Sequence, residues 1–522
     1  MKKVFVLIAL IIPGITGCKK FLSTTPQDFL QPGNYYQTAD QAMLALNSGY
    51  ELLLNSNWWG GTFNTRALMC GDDVYMTISP YPADFTSNYT DPLLTSTWNV
   101  VYTAIERMNV LLANLNNGKY DQQKKDIIKG EALFLRAYCY FFLVDQWGPV
   151  PLRIEPTSGP KDKNLACSPI ADVYAQIIKD MTEADSLVPP ATTSGYGGNG
   201  YPAKTTVEAM LARVYLTMAG HPLMDASKYR DAEAWGMKVI NSGLHSLDPS
   251  YSQMFIDLIQ GNPDKRSILW AVDAQYIPGY YTYSNEGALD GIAYGPVDSG
   301  YGYGYVRCAR LYYKTFSLED QRRDWTICPW RYGTNGAHVN WTSTQLYDRF
   351  PGKFRLNYSP FPRLVDKTPV NFPLMRYADV LLMVAEAENA VNGPTQLAYS
   401  LINKVRERGW GKMLPGATNP QEADLTPGLD QQQFQDSLED ERWREFGLEG
   451  LRKHDLIRWG ELGAALQRMQ QDVTDQNQPN PGSFYVGNVS RFFKNYQPRD
   501  TLFPIPAQEL QSNSLATQNA GW

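Results

Sequence analysis

The chain has 522 residues, 43% of them hydrophobic and 19% charged, a composition that supports folded units with sizeable cores. A formal net charge of -6 excludes the clustered basic surface that a nucleic-acid ligand demands. Aromatic residues make up 13%, and many of the 33 Tyr and 13 Trp stand in segments rich in Gly, Asn and Ser, where a core role is hard to assign.

The N-terminus reads Met1-Lys2-Lys3, an apolar run over 4–12, then Ile15-Thr16-Gly17-Cys18. A positive start, a short apolar core and small residues before a cysteine predict a secretory signal. That core is shorter than the roughly 20 residues needed to span a bilayer. Ile-Thr-Gly-Cys also resembles the bacterial lipobox, so residues 1–17 are expected to be a signal peptide and Cys18 an acylated N-terminus. Cleavage there leaves 505 residues, with 18–35 as a lipidated tether punctuated by Thr24-Thr25-Pro26 and Pro32-Gly33.

Residues 36–269 read as an N-terminal helical region, with helices predicted over 38–54, 97–116, 123–146, 170–186, 204–219 and 228–242. The run 132–144 is apolar nearly all round, which places its helix deep in the core, and Trp147-Gly148-Pro149-Val150-Pro151 ends it. Ala212, Tyr215, Tyr229 and Ala232 resemble the small-then-large packing positions of a tetratricopeptide repeat, although any helical hairpin meets the same pattern. Residues 270–372 lack periodicity and read as an irregular, loop-rich ligand lobe. Residues 373–522 return to helices at 377–392, 395–408 and 431–460, with 385–402 as a shortened second repeat that completes the scaffold. Beyond Cys18 the cysteines are Cys70, Cys139, Cys167, Cys308 and Cys328, an odd set without paired spacing. Cys139 reads as a buried thiol, and a Cys308–Cys328 bridge is conceivable outside the cytoplasm.

Several ordered motifs resemble the SusD/RagB family of Bacteroidetes outer-membrane lipoproteins. They are Phe21-Leu22 to Pro26 after the cysteine, Glu131-Ala132-Leu133-Phe134-Leu135-Arg136-Ala137-Tyr138, and Trp147-Gly148-Pro149-Val150-Pro151-Leu152. Next come Met375-Arg376-Tyr377-Ala378-Asp379 with Ala385-Glu386-Ala387, then Ile402-Asn403-Lys404-Val405-Arg406-Glu407-Arg408. Glu441-Arg442, Glu445-Phe446, Glu449-Gly450, Arg452 and Asp455-Leu456-Ile457-Arg458-Trp459-Gly460 follow, and Phe503-Pro504-Ile505-Pro506 closes the set. Read from the residues alone, these hallmarks are architectural. Tyr377, Leu381, Val384, Ala387 and Val391 share one helix face, and Asp440/Arg444 and Glu449/Lys453 are spaced for i,i+4 ion pairs.

The resemblance implies a mainly α fold of degenerate tetratricopeptide-like hairpins carrying an irregular loop-rich lobe. It also implies a glycan-binding lipoprotein that sits on a SusC-like TonB-dependent transporter, anchored in the outer membrane and facing the cell surface. Lys19 and Lys20 stand where surface-exported relatives carry acidic residues. Sugars present flat C–H faces to aromatic rings and hydroxyls to polar side chains. Two segments hold such material in the places where the family binds, though no residue matches a fixed motif. The first gives Trp58, Trp59, Asn64, Arg66, Asp72, Asp73, Tyr75 and Tyr81 as candidates. The second gives Tyr294, Tyr301, Tyr303, Trp325 and Trp330, in a lobe that also carries Tyr280, Tyr281, Tyr283 and Tyr305. No nucleophile elbow, phosphate loop or metalloprotease motif is present, and no cofactor is implied. Asp72 and Asp73 are the carboxylate pair a glycosidase reading would use; they otherwise accept sugar hydroxyls, cap a helix or hold Ca²⁺. Peptide binding is the other alternative the family allows.

Overall fold

The computed structural model describes residues 35–69, 71–280, 282–479 and 481–522. The signal segment, Cys18 and nearly all of the tether lie outside the described residues, as do Cys70 and Tyr281. The fold is mainly α, with short strands paired two by two.

Helix α1 (Ala39–Glu51) starts at Thr38, whose hydroxyl accepts from the Gln41 N–H while the Gln41 side chain accepts from Thr38 N–H, a reciprocal cap. It is followed by α2 (Pro92–Asn114), α3 (Gln122–Trp147), α4 (Ile170–Leu187), α5 (Lys204–Ala219), α6 (Lys228–Asn241) and α7 (Tyr251–Ile259). After the lobe come α8 (Tyr377–Asn392), α9 (Gln396–Gly409), α10 (Gln431–Phe446), α11 (Arg452–Arg458), α12 (Leu462–Thr474) and α13 (Ser483–Asn495). From α1 to α6 each helix packs on its predecessor, and α8 packs on α6, α9 and α10. The α5–α6 pair is tight: a Cβ on Gly236 would strike Val384 of α8 and touch Ala212 of α5. Helix α3 is buried on every side over 130–144, as its unbroken apolar run requires.

The strands are β1 (Val74–Met76), β2 (Val150–Pro151), β3 (Cys167–Ser168), β4 (Ile268–Val272), β5 (Val306–Cys308), β6 (Trp330–Tyr332), β7 (His338–Asn340) and β8 (Phe372–Arg376). All pairs are antiparallel: β1 with β5, β2 with β3, β4 with β8, and β6 with β7. The β1–β5 pair ties the loop after α1 to the irregular lobe, opposing Tyr75 to Arg307.

Three expectations change. The helix over 431–460 breaks between α10 and α11, where Leu448 (φ +71°) donates its N–H to Asp73 Oδ2 at 3.2 Å and so cannot continue the helical ladder. Glu449 does not pair with Lys453; it turns inward to Lys353 at 2.6 Å and Arg376 at 2.7 Å. Cys308 and Cys328 are free, buried thiols. The Asp440–Arg444 pair does form, at 3.9 Å on the rim.

Glu449 belongs to a buried network on α10 and its C-terminal turn. Arg322 pairs with Asp320, Glu441 and Glu445 at 2.6–3.0 Å. Arg376 reaches Glu445 at 2.7 Å, as Arg408 does at 2.5 Å, and Arg442 links Asp379 to Asp455 at 2.7 and 2.9 Å. Burial alone would raise the Glu445 pKa; Arg408, Arg376 and Arg322 together hold it down at about 2. Glu445→Gln should therefore cost about 3–5 kcal/mol, because three buried guanidinium groups lose their shared carboxylate. Its signature in urea unfolding is a pH dependence. The folded pKa lies below the ordinary 4.5, so the Glu445 contribution is complete above that pH and disappears as pH falls towards 2. The variant should lose that part of the acid branch.

Candidate functional site

The sequence Gly300-Tyr301-Gly302-Tyr303-Gly304-Tyr305 leads into β5, and its burial alternates residue by residue, the glycines buried and the tyrosines half-buried. The glycine side lies against residues 287–293: a Cβ on Gly302 would run into the Ile292 carbonyl, and one on Gly304 (φ +63°) into the Ala293 side chain. Tyr303 N–H donates to Ala288 O at 2.8 Å, and Gly302 O accepts from Tyr294 N–H at 2.9 Å. Glycine at these positions lets the strand press flat on its support. The tyrosines consequently stand on the other face, half-buried.

Their rings form an ordered row. Tyr303 and Tyr305 stack with centroids 5.0 Å apart and planes 7° from parallel, and Tyr301 meets Tyr303 edge-on at 5.3 Å. The strand pairing brings the loop after α1 alongside, since Thr77 N–H donates to Tyr305 O at 2.8 Å. Arg66, on the short helical stretch Asn64–Leu68, then sets its guanidinium 4.6 Å from the Tyr81 ring centre and 6.0 Å from that of Tyr305. Tyr303 donates its hydroxyl to Asp366 Oδ2 at 2.6 Å, a bond that pushes the phenol pKa up to about 12. Asp366 itself sits in a left-handed turn (φ +61°), and its carbonyl accepts from Asn285 Nδ2 at 2.7 Å. Tyr294, 69% exposed, lies beside the row through its backbone bond to Gly302. The result is an aromatic shelf edged by a cation and a carboxylate.

The structure thus gathers Arg66, Tyr81, Tyr294, Tyr301 and Tyr303 from two distant segments. It places the remaining candidates elsewhere. Trp58 is fully buried, packed on Tyr138 and Phe142, and Trp59 stacks on Phe372 at 5.4 Å. Gly60, directly after them, lies so close to the preceding turn that a Cβ would meet the Leu54 carbonyl. Asn64 is buried and donates to Glu286 at 3.3 Å. Asp72 is clamped by Arg452 at 2.7 and 3.0 Å. Asp73 is buried beside it, its pKa raised to about 6 by burial and by Asp72, so the pair does not face a ligand. Tyr75 lies inside, donating to Tyr347 O at 2.5 Å. Trp325 is buried under Arg355, and Trp330 stacks on His338 in the β6–β7 hairpin, its centroid 3.5 Å away. Sequence reasoning missed Asp366, which reaches the row only because the turn at Leu364 and Lys367 folds back onto Ser284 and Asn285. Among the described residues no group of three or more His, Cys, Asp and Glu side chains is gathered to hold a metal ion.

Comparison with known proteins now bears on the fold. A family model described as the SusD family matches residues 312–522, and one described as starch-binding, associating with outer membrane, matches residues 66–216. The chain belongs to the SusD family. SusD-like protein P25 of Formosa agariphila is 26% identical, over 96% of this chain and 95% of its own. SusD-like protein P2 of the same organism is 24% identical over the full length of both. A crystal structure of a SusD homologue from Bacteroides thetaiotaomicron, 25% identical, superposes with a TM-score of 0.84 over 94% of this chain and 98% of that one. A laminarin-binding SusD-like protein shares the fold, with a TM-score of 0.70 at 22% identity over 93% of this chain and all of its own.

Within this SusD-family scaffold Trp58 is a core residue. Trp58→Ala should lower stability by about 3–5 kcal/mol in denaturant unfolding while leaving saccharide affinity unchanged at temperatures where the variant is folded.

Proposed function

We propose that the protein binds oligosaccharides or polysaccharides on the tyrosine shelf and delivers them, without chemistry, to a SusC-like TonB-dependent transporter. The observation that carries this reading is the row Tyr301, Tyr303 and Tyr305, the first edge-on to the second and the second stacked on the third, beside Arg66 and Tyr81 and half-buried on a glycine-backed segment. The rings offer apolar surface to the C–H faces of a sugar, while Asp366 and Arg66 answer hydroxyls at the edge. The starch-binding description of one family model and the laminarin-binding relative support a saccharide as the cargo. Tyr303→Ala and Tyr305→Ala should each weaken binding of a recognised glycan by about tenfold, the worth of one aromatic contact. Affinity electrophoresis against a polysaccharide panel measures this, and reducing-end release from the same polysaccharides would instead mark an enzyme.

Attachment to the outer membrane through acylated Cys18, with the body facing the cell surface, completes the proposal. Among the described residues no helix is long and apolar enough to cross a membrane. Cys18→Ala should move the protein from the outer-membrane fraction to the soluble one, and protease treatment of intact cells should remove the wild-type protein.

A further inference from the structure

A cavity of about 430 Å³ opens between the end of α1, the loop that carries Asn199 and Tyr201, and the β4 strand with the chain that follows it. Its volume falls in the range of about 300–1,000 Å³ typical of small-ligand sites. None of its residues belongs to the tyrosine shelf. One wall is aromatic: Tyr50 and Tyr201 meet edge-on with centroids 5.5 Å apart. Both hydroxyls are held by hydrogen bonds. Tyr50 donates its hydroxyl to the buried carboxylate of Glu131 at 2.9 Å, and Tyr201 donates to Asn47. Leu53 and Leu54 extend the apolar surface.

The rim opposite is polar and already ordered. Asp273 accepts from Asn199 Nδ2 at 3.1 Å and from Gln275 Nε2 at 3.3 Å, and the two amide oxygens are further acceptors on the same rim. Glu51 adds a second carboxylate, and no Lys or Arg lines the cavity. An anionic ligand would meet two negative charges and no positive one. A ring with one apolar face and a belt of hydroxyls meets an aromatic wall and a rim able both to donate and to accept.

We infer that this cavity is a second, pocket-type site for an uncharged sugar unit, separate from the shelf. The wall leads towards the shelf: Thr282 lines the cavity, and three residues on, Asn285 bonds Asp366, the partner of Tyr303. That stretch spans at most about 11 Å.

The test titrates the full-length soluble body, calorimetrically, with maltohexaose, laminarihexaose and cellohexaose, and with pentagalacturonate as the anionic control. Three variants are compared: Asn47→Ala/Gln275→Ala, whose side chains are exposed, Tyr201→Ala, and Tyr303→Ala on the shelf. The expected result is binding of at least one neutral oligomer that both cavity variants weaken by about tenfold, the worth of one or two hydrogen bonds, with no heat from pentagalacturonate. Full affinity in Asn47→Ala/Gln275→Ala and Tyr201→Ala, with loss only in Tyr303→Ala, overturns the cavity site and leaves the shelf standing. Loss in the cavity variants alone supports the cavity and removes the shelf. Tighter binding of pentagalacturonate than of every neutral oligomer overturns the inference, and no binding of any neutral oligomer by the wild type overturns both readings.

Discussion

The fold depends on burying guanidinium groups against carboxylates at one place. Arg322, Arg376 and Arg408 come from three separate stretches of chain and converge on Glu445, which thereby fixes the irregular lobe, β8 and α9 against α10. Removing charges from water is costly, and the arrangement is stable only because each charge finds near-ideal partners. A second set of buried pairs joins Asp379 to Asp455 through Arg442, and Arg452 separately binds Asp72 in the loop after α1. The loop after α1 and the irregular lobe are in this way anchored by charge as well as by an apolar cluster they share, which includes Met69, Val74, Tyr75, Val306, Tyr312 and Ile327.

The shelf follows from that anchoring. Asp72 and Asp73 hold the loop before β1: Asp72 binds Arg452, and the Asp73 carbonyl accepts from Ala309 N–H at 2.8 Å at the end of β5. Once β1 and β5 are paired, Arg66 and Tyr81 have one place to stand relative to Tyr305. Carboxylates that the sequence suggests as ligand contacts therefore act one layer beneath, positioning the rings.

Much of the scaffold was legible. Period-3.6 patterns located the helices that carry the repeats, and the apolar circumference of α3 announced its burial. Helices α7, α12 and α13 were overlooked. The break after Phe446 has a local signal in Gly447 at the helix end and Gly450 (φ +73°), but the contacts that fix it, Asp73 and Arg376, lie far away in the chain. Trp58 and Trp59 misled for a similar reason. Gly60 and Gly61 suggest an open loop, but Phe142 and Phe372, supplied by distant elements, cover both rings. The site was half legible: alternating Tyr and Gly marked the row, whereas Asp366 carries no local signal and enters only through tertiary folding.

The glycine-backed strand also bears on how such a protein changes over generations. Its glycine face is committed to residues 287–293, while positions 301, 303 and 305 are half-buried and only Tyr305 of the three packs against an apolar cluster. On the function proposed above, exchange at these positions alters what the surface recognises while the glycine-backed support is kept, so cargo preference can diverge on a constant architecture.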